Sequence, residues 1–248
     1  RLVVRAGSLD EAADRELGVA HFVEHCGFRG TRTHENGTLH KFVEGLGSRF
    51  GADLNAKTGL TETVWMLNVP VDADLPDCRE RMLDSLKVLG EWAHSIRFSP
   101  EDVEAERKVI LEEYRMKRGS AQRIKDTYWR KVLPRVGARL PIGTLESINA
   151  IDSDTLKRFY ADTYVPERIC LVAVGNLASV GGVEGLFELL DTHHVFDCDA
   201  WAARRMQGPT PSLRPPREPI CLPERPTVSC VIHEKGLTST TVSLETFV

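Results

Sequence analysis

The feature that most constrains the fold of this sequence is a cluster of prolines near the end of the chain. Between Gln207 and Pro226 lie seven of the thirteen prolines in the 248 residues. Because proline fixes φ and has no backbone N–H, this stretch cannot form a helix or a central strand. We therefore predict a domain over residues 1–205, an extended proline-rich linker over 206–226, and the start of a second, truncated domain over 227–248.

Composition indicates an ordinary globular protein without a strong charge. The chain is 42% hydrophobic and 27% charged, which differs from disordered and fibrous chains. Thirty-two basic and thirty-six acidic residues give a net charge of −4, so we expect no nucleic-acid partner and no attraction to an anionic membrane. The sequence lacks the run of about 18 to 20 apolar residues that a membrane-spanning helix requires. We therefore predict no membrane span.

Neither the start of the chain nor its cysteines define a compartment. The chain begins without Met in the strand-like run Arg1-Leu-Val-Val-Arg5, from which we expect a truncated N-terminal edge. Six cysteines are scattered without a C-x-x-C pair, so we expect neither a disulfide scaffold nor a cysteine-rich zinc module. The redox compartment stays open on these residues alone.

Strand and helix signals alternate upstream of the prolines. Residues 61–69 and 169–174 are rich in β-branched, aromatic or apolar side chains and are predicted to be strands. Ser99 as N-cap and Pro100 at the first helical position predict a long helix, and a second helix is expected after Asp152. The predicted fold class is α+β, with several long helices packed against a sheet.

The strongest chemical signal is the sequence His21-Phe-Val-Glu24-His25. On a helix with about 100° per residue, His25 lies about 40° and Glu24 about 300° from His21, so all three share one stripe. The rest of this helix is apolar, so we expect it to be buried, and its polar stripe then needs partners. Two imidazoles at i and i+4 point to one place and suit zinc. The alternative is a pair of hydrogen-bonded core histidines.

A catalytic zinc needs a third protein ligand, and the long helix predicted above is the best source of it. If the apolar stripe of that helix is centred on Ile110, Glu106 and Glu113 border the stripe and face inward, two turns apart. Glu104 and Glu112 then point to solvent. The alternative is that all four glutamates are solvated charges paired with neighbouring basic residues.

Further motifs accompany these residues in a fixed order along the chain. They are Phe28-Arg-Gly-Thr31, Leu46-Gly47, Asn55-Ala-Lys-Thr58, Val69-Pro70, Glu106-Arg-Lys-Val-Ile-Leu-Glu-Glu113, Leu140-Pro-Ile-Gly-Thr144, Phe159-Tyr160, Tyr164-Val-Pro166 and Val174-Gly175. Together with the histidine motif they resemble the pitrilysin/insulinase family (M16) of zinc metallopeptidases, the inverted zincins, over residues 2 to about 190. The resemblance implies a pitrilysin-like metallohydrolase domain with a mainly antiparallel sheet against several long helices.

The resemblance also implies a role for individual residues. His21, His25 and Glu113 would bind one Zn²⁺ ion per catalytic domain. Glu24 would be the general base that activates a water molecule. Glu106 would not bind the metal but would orient a ligand imidazole.

Substrate contacts are expected at Asn55 and Ala56. In the resembled family this stretch forms a sheet edge that takes the substrate as an added strand, and main-chain hydrogen bonds then give sequence-tolerant binding. The alternative is a plain hairpin in which Asn55 is a turn residue.

The function that the resemblance predicts is a zinc metalloendopeptidase acting on extended peptides or unfolded polypeptides. A second homologous domain or subunit would close around the substrate, so the chain alone is expected to bind zinc with little activity. The alternatives are a non-proteolytic zinc-binding or assembly subunit of a pitrilysin-like heterodimer, and a zinc lyase on a related fold. The compartment stays unassigned, with a bacterial periplasm or an organelle favoured.

Overall fold

The computed structural model describes most of the predicted first domain. The described residues are 1–202, except 13, 36, 50, 71–76, 198 and 200, together with residue 232. The predicted linker over 206–226 and, apart from residue 232, the predicted second domain over 227–248 lie outside the described residues. Both therefore stay predictions.

One layer of the fold is a four-stranded antiparallel sheet. Its strands are β1 (Leu2–Val4), β2 (Leu54–Thr58), β3 (Thr63–Leu67) and β4 (Ile169–Leu171), in the order β2-β3-β1-β4. Strand β2 therefore lies at one edge of the sheet. It pairs with β3, where Ala56 lies opposite Trp65. Both predicted strands form over shorter ranges, since β3 covers residues 63–67 of the predicted 61–69 and β4 covers residues 169–171 of the predicted 169–174.

The other layer consists of helices. They are α1 (Val19–Arg29), α2 (Thr38–Gly45), α3 (Cys78–His94), α4 (Pro100–Met116), α5 (Ser120–Val132), α6 (Pro134–Gly137), α7 (Leu145–Ala150), α8 (Ser153–Thr163) and α9 (Gly182–Thr192). Ser99 caps α4 by accepting the Asp102 N–H at 3.1 Å, and Asp152 caps α8. The α+β prediction is confirmed. Within the described ranges, no helix has the length and apolar character needed to cross a membrane.

Helix α1 lies at the centre of this arrangement, against the sheet, α4 and α8. Its side facing the sheet requires a glycine, because a Cβ on Gly27 would stand 2.3 Å from the Trp65 ring. Trp65 stacks on Trp92 of α3 with ring centroids 4.7 Å apart, and the Trp92 Nε1–H donates to the Gly27 carbonyl at 3.0 Å. The two indoles thus hold α1 against the sheet through close packing and one buried hydrogen bond.

The loop that follows α1 is tied to α3 by the buried carboxylate of Glu91. This carboxylate accepts hydrogen bonds from the Thr31 hydroxyl and, at 3.2 Å, from the Thr33 N–H, and it lies 3.4 Å from His34 Nδ1. Burial alone would raise the pKa of Glu91, but the contacts with His34, Thr31 and Thr33 outweigh it and lower the pKa to about 2. The ionised form therefore stabilises the folded state.

We expect Glu91→Gln to lower the free energy of unfolding at pH 7 by on the order of 2–3 kcal/mol. The contribution of ionised Glu91 is fully present above about pH 4.5 and is lost as the pH falls towards 2, so the difference from wild type should shrink over that range. Urea unfolding at pH 7, 4 and 3 measures it. Glu80→Gln, an exposed position on the same helix, is the matched control and should cost below about 0.5 kcal/mol. A difference in the free energy of unfolding between Glu91→Gln and wild type that does not change with pH would contradict the lowered pKa of Glu91.

Candidate metal centre

Helix α1 presents its polar stripe from an otherwise apolar, buried surface. Its residues Val19, Ala20, Phe22, Val23 and Cys26 are all at most 1% exposed. The helix begins after Gly18, and the buried carboxylate of Glu11 accepts the Ala20 N–H at 3.2 Å. The positions of His21, Glu24 and His25 are therefore determined by the packing of the whole helix.

Helix α4 faces this stripe with two of its glutamates. Glu106 and Glu113 point towards α1, beside the buried Ile110. Glu104 and Glu112 are exposed and pair with Arg107 and Arg115 at 2.8 and 3.1 Å. The helical spacing predicts this same division, because residues three, four and seven apart share one face.

Three side chains converge on one point between α1 and α4. Oε2 of Glu113 lies 3.1 Å from His25 Nε2 and 3.6 Å from His21 Nε2, and one ligand atom from each of the three residues lies within 4.8 Å of the others. Tetrahedral zinc with bonds of about 2.0–2.2 Å separates its ligand atoms by about 3.3–3.5 Å. Two imidazole nitrogens and one carboxylate oxygen at these spacings fit a zinc ion.

Three further side chains hold these groups in place. Glu106 Oε2 accepts from His25 Nδ1 at 2.9 Å, and its other oxygen pairs with Arg29. The second oxygen of Glu113 pairs with Lys117. Each carboxylate is thus held at both oxygens, and the Nδ1–H bond to Glu106 directs Nε2 of His25 towards Glu113.

The pKa values of the two histidines move in opposite directions. Burial, reinforced by the neighbouring His25, lowers the pKa of His21 to about 3, so its imidazole is neutral. Burial also opposes the charged form of His25, but hydrogen bonds to Glu106 and Glu113 outweigh it and raise its pKa to about 9. Burial also opposes the charged form of Glu113, but its contacts with His25, His21 and Lys117 outweigh burial and lower the pKa of Glu113 to about 2. A metal would take the place of the His25 Nε2 proton between these groups.

Glu24 stands beside this cluster without joining it. Glu24 is 8% exposed, and its Oε2 accepts a hydrogen bond from the Thr58 hydroxyl of β2 at 2.5 Å. Burial raises the pKa of Glu24, and the bond from Thr58 only partly offsets this effect. A carboxylate with a raised pKa beside a metal site can accept and return a proton at near-neutral pH.

All of the predicted site residues line one cavity of about 710 Å³. They are His21, Glu24, His25, Asn55, Ala56, Glu106 and Glu113. The side chain of Asn55 is engaged within its own loop, donating to the Gly51 carbonyl at 3.2 Å and accepting the Ala56 N–H at 2.8 Å. The structure thus brings the residues together, while their roles as ligands, base and substrate contacts stay predictions.

Three contributing residues were missed by the sequence reasoning. Arg29 lies four residues after His25 and Lys117 four residues after Glu113, so the i+4 helical spacing could have found both. Thr58 closes the Asn55–Thr58 motif, but its contact with Glu24 joins residues 34 positions apart and needs the tertiary structure.

Comparison with known proteins assigns this chain to a family. Residues 1–131 match the family model described as Insulinase (Peptidase family M16). The chain belongs to this family. The predicted membership is therefore confirmed, and the helix pair that carries the candidate metal centre lies inside the matched range.

Individual relatives agree with this assignment. A protein named zinc protease PQQL-like from Arabidopsis thaliana is 36% identical over 194 residues, covering 77% of this chain and 19% of the relative. A probable zinc protease PqqL from Escherichia coli is 33% identical over 180 residues, 72% of this chain and 19% of that protein. This chain thus spans about one fifth of these curated relatives.

A solved structure supports the same fold. The crystal structure of the first half of the periplasmic protease PqqL from Escherichia coli superposes with a TM-score of 0.70 and 31% identity, covering 78% of this chain and 40% of that one. The prediction of a mainly antiparallel sheet against several long helices is confirmed by the described sheet and helices.

We expect Glu113→Gln to weaken zinc binding by more than about a hundredfold, because it removes one of the three predicted ligand groups. Glu106→Gln should weaken zinc binding by about 10–100-fold, since Glu106 is predicted to orient His25 and not to bind the metal. Glu112→Gln, one residue away but exposed and paired with Arg115, should change it less than about twofold. Competition with a chelating dye measures all three. Equal losses of zinc affinity in the Glu112→Gln and Glu113→Gln variants would rule out a metal site formed by His21, His25 and Glu113.

Proposed function

We propose that this chain is the zinc-binding, catalytic part of a metalloendopeptidase that hydrolyses peptide bonds in extended polypeptides. The observation that carries the proposal is the convergence of His21, His25 and Glu113 beside the buried Glu24, in a cavity bordered by the edge strand β2. Membership of the M16 family and relatives named zinc proteases support the same reaction class.

In this proposal His21, His25 and Glu113 hold one zinc ion. When bound there, zinc polarises the substrate carbonyl and lowers the pKa of a water molecule towards about 7. Glu106 keeps the Nδ1 proton of His25 engaged, so that Nε2 faces the metal, and Arg29 fixes Glu106 from its other side.

Glu24 performs the proton transfers. Its carboxylate takes the proton of the attacking water, holds it at a carboxylate oxygen, and delivers it to the leaving amine. Burial favours this protonated intermediate by raising the pKa of Glu24. The Thr58 hydroxyl restrains Oε2, so the carboxylate stays in one orientation during both transfers.

The substrate would bind as an added strand along β2. An edge strand supplies main-chain N–H and C=O groups, which bind an extended peptide with little dependence on its sequence. Asn55 and Ala56 are the proposed contacts, and Asn55 would release the Ala56 N–H when the peptide takes its place.

A second homologous domain or subunit would complete the enzyme. This chain spans about one fifth of its relatives, and the matched E. coli structure is described as the first half of a protease. We propose that residues 1–205 form the catalytic domain, that 206–226 link it onward, and that 227–248 begin the next domain. Closure of a second half around the peptide would exclude water and position the scissile bond.

We expect Glu24→Gln to lower peptide cleavage by on the order of 10³-fold, because the amide cannot take the proton. Zinc content should stay at one ion per chain. Quenched fluorescent peptides, with the second half supplied, and metal analysis measure the two effects, and Glu112→Gln serves as the control. If the wild-type chain binds zinc but cleaves no peptide, the alternative of a non-proteolytic assembly subunit is favoured instead.

Thr58→Val should lower kcat about tenfold with little change in KM, because it removes one hydrogen bond to Glu24 and preserves the side-chain shape. Thr58→Ser keeps the hydroxyl and should restore most of the rate. Steady-state kinetics of the two variants decide this point. A change in KM alone, or no rescue by serine, would show that Thr58 acts on peptide binding or packing instead.

A further inference from the structure

A strongly basic segment leads out of the helix that carries Glu113. Residues 115–139, here called the basic arm, contain nine lysines or arginines and one acidic residue, Asp126, which gives a net charge of +8. The rest of the chain holds 23 basic and 35 acidic residues and has a net charge of −12. The charge of the arm is therefore opposite to that of the remaining chain.

The chain borders the cavity of the candidate metal centre near the start of the basic arm and again just after its end. Lys117, near its start, and Pro141, just after its end, both line that cavity, as does the exposed Lys57 of β2. Helices α5 and α6 of the arm pack on each other around Val132 and neighbouring apolar side chains, and Leu60 from the β2–β3 turn joins this cluster. The arm thus lies next to the strand proposed to bind the peptide.

Part of the charge on the basic arm is available for binding. Lys125, Arg130 and Lys131 are exposed, and none of these three has a carboxylate within 4.0 Å in the described part of the chain. Arg130 reaches the Gly137 carbonyl at 3.4 Å, which leaves its charge uncompensated. Like charges on a segment that borders a cleft raise the local concentration of ligands of opposite sign.

The surroundings favour an acidic polypeptide over a nucleic acid. Single-stranded nucleic acids bind where exposed aromatic rings accompany basic groups, because bases stack on the rings. The aromatic residues of the arm, Tyr128 and Trp129, instead pack into its apolar cluster and contact each other. The net charge of −12 on the remaining chain would also repel a long polyanion, whereas a short acidic segment would meet only the arm.

We propose that the basic arm binds an aspartate- or glutamate-rich segment of the polypeptide substrate beside the scissile bond. This inference rests on the proposed function and specifies its substrate class. Because each exposed ion pair contributes little, several must act together, and the effect should be sensitive to salt.

Binding of labelled, unstructured 20-residue peptides tests the inference by fluorescence anisotropy. The chain carries Glu24→Gln so that no peptide is cleaved. One peptide contains a block of six glutamates, and its partner has six glutamines there. We expect the acidic peptide to bind about tenfold more tightly at 50 mM NaCl, with most of the difference lost at 300 mM.

Two matched triple variants locate the effect. Lys125→Gln, Arg130→Gln and Lys131→Gln together should lower affinity for the acidic peptide about tenfold and leave the neutral peptide unchanged. The control changes Lys87, Lys108 and Lys157 to glutamine, removing three equal charges from exposed positions on other helices, and should have less than a twofold effect. Circular dichroism verifies that both variants are folded.

Three results would overturn the inference. The first is equal affinity for the acidic and the neutral peptide. The second is an equal loss of affinity for the acidic peptide in the two triple variants. The third is an oligonucleotide that binds more tightly than the acidic peptide and loses affinity in the triple variant of the arm. Failure of the proposed function is a separate result. In that case no peptide would be cleaved in a way that depends on zinc and on Glu24. Cleavage of the neutral peptide combined with equal peptide binding would leave the peptidase proposal intact and reject the acidic substrate class.

Discussion

The site depends on the two carboxylates that α4 places against the imidazole of His25. Glu106 holds Nδ1 at 2.9 Å and Glu113 lies 3.1 Å from Nε2. A partly buried imidazole between two carboxylates is stable when it carries a proton or a metal at Nε2. His21, whose pKa is lowered to about 3, adds a neutral nitrogen to the same point. The pairing of α1 with α4 is thus both a packing contact and the arrangement proposed to bind the metal.

The rigidity of α1 follows from residues outside the site. Gly27 permits direct contact with Trp65, Trp92 donates to the Gly27 carbonyl, and Glu11 accepts the Ala20 N–H at the start of the helix. A metal site needs its ligands held to within a fraction of an ångström, which helices achieve better than loops. The surrounding core therefore restrains the helix that carries the proposed ligands, although none of these side chains belongs to the proposed ligand set.

Much of the fold and site followed from local patterns. The cap formed by Ser99 and the inward direction of Glu106 and Glu113 depend on helical spacing, which is a property of neighbouring residues. Strand β4 ends at Leu171, earlier than its apolar run over residues 169–174 suggests, because an apolar run does not specify which of its residues pair with another strand. The engaged side chain of Asn55 was also not predictable, since it depends on the shape of the loop at Gly51.

The sequence by itself determined the chemistry available at this site: two histidines and a glutamate on one stripe of α1, and two inward glutamates on α4. Only the tertiary structure decided how these groups meet. It placed Thr58 of β2 against Glu24, and it brought the chain back to the cavity at Pro141, just after the basic arm. The reason is physical: helical periodicity is local and can be counted along the chain, whereas contacts between separate elements depend on how the whole core packs.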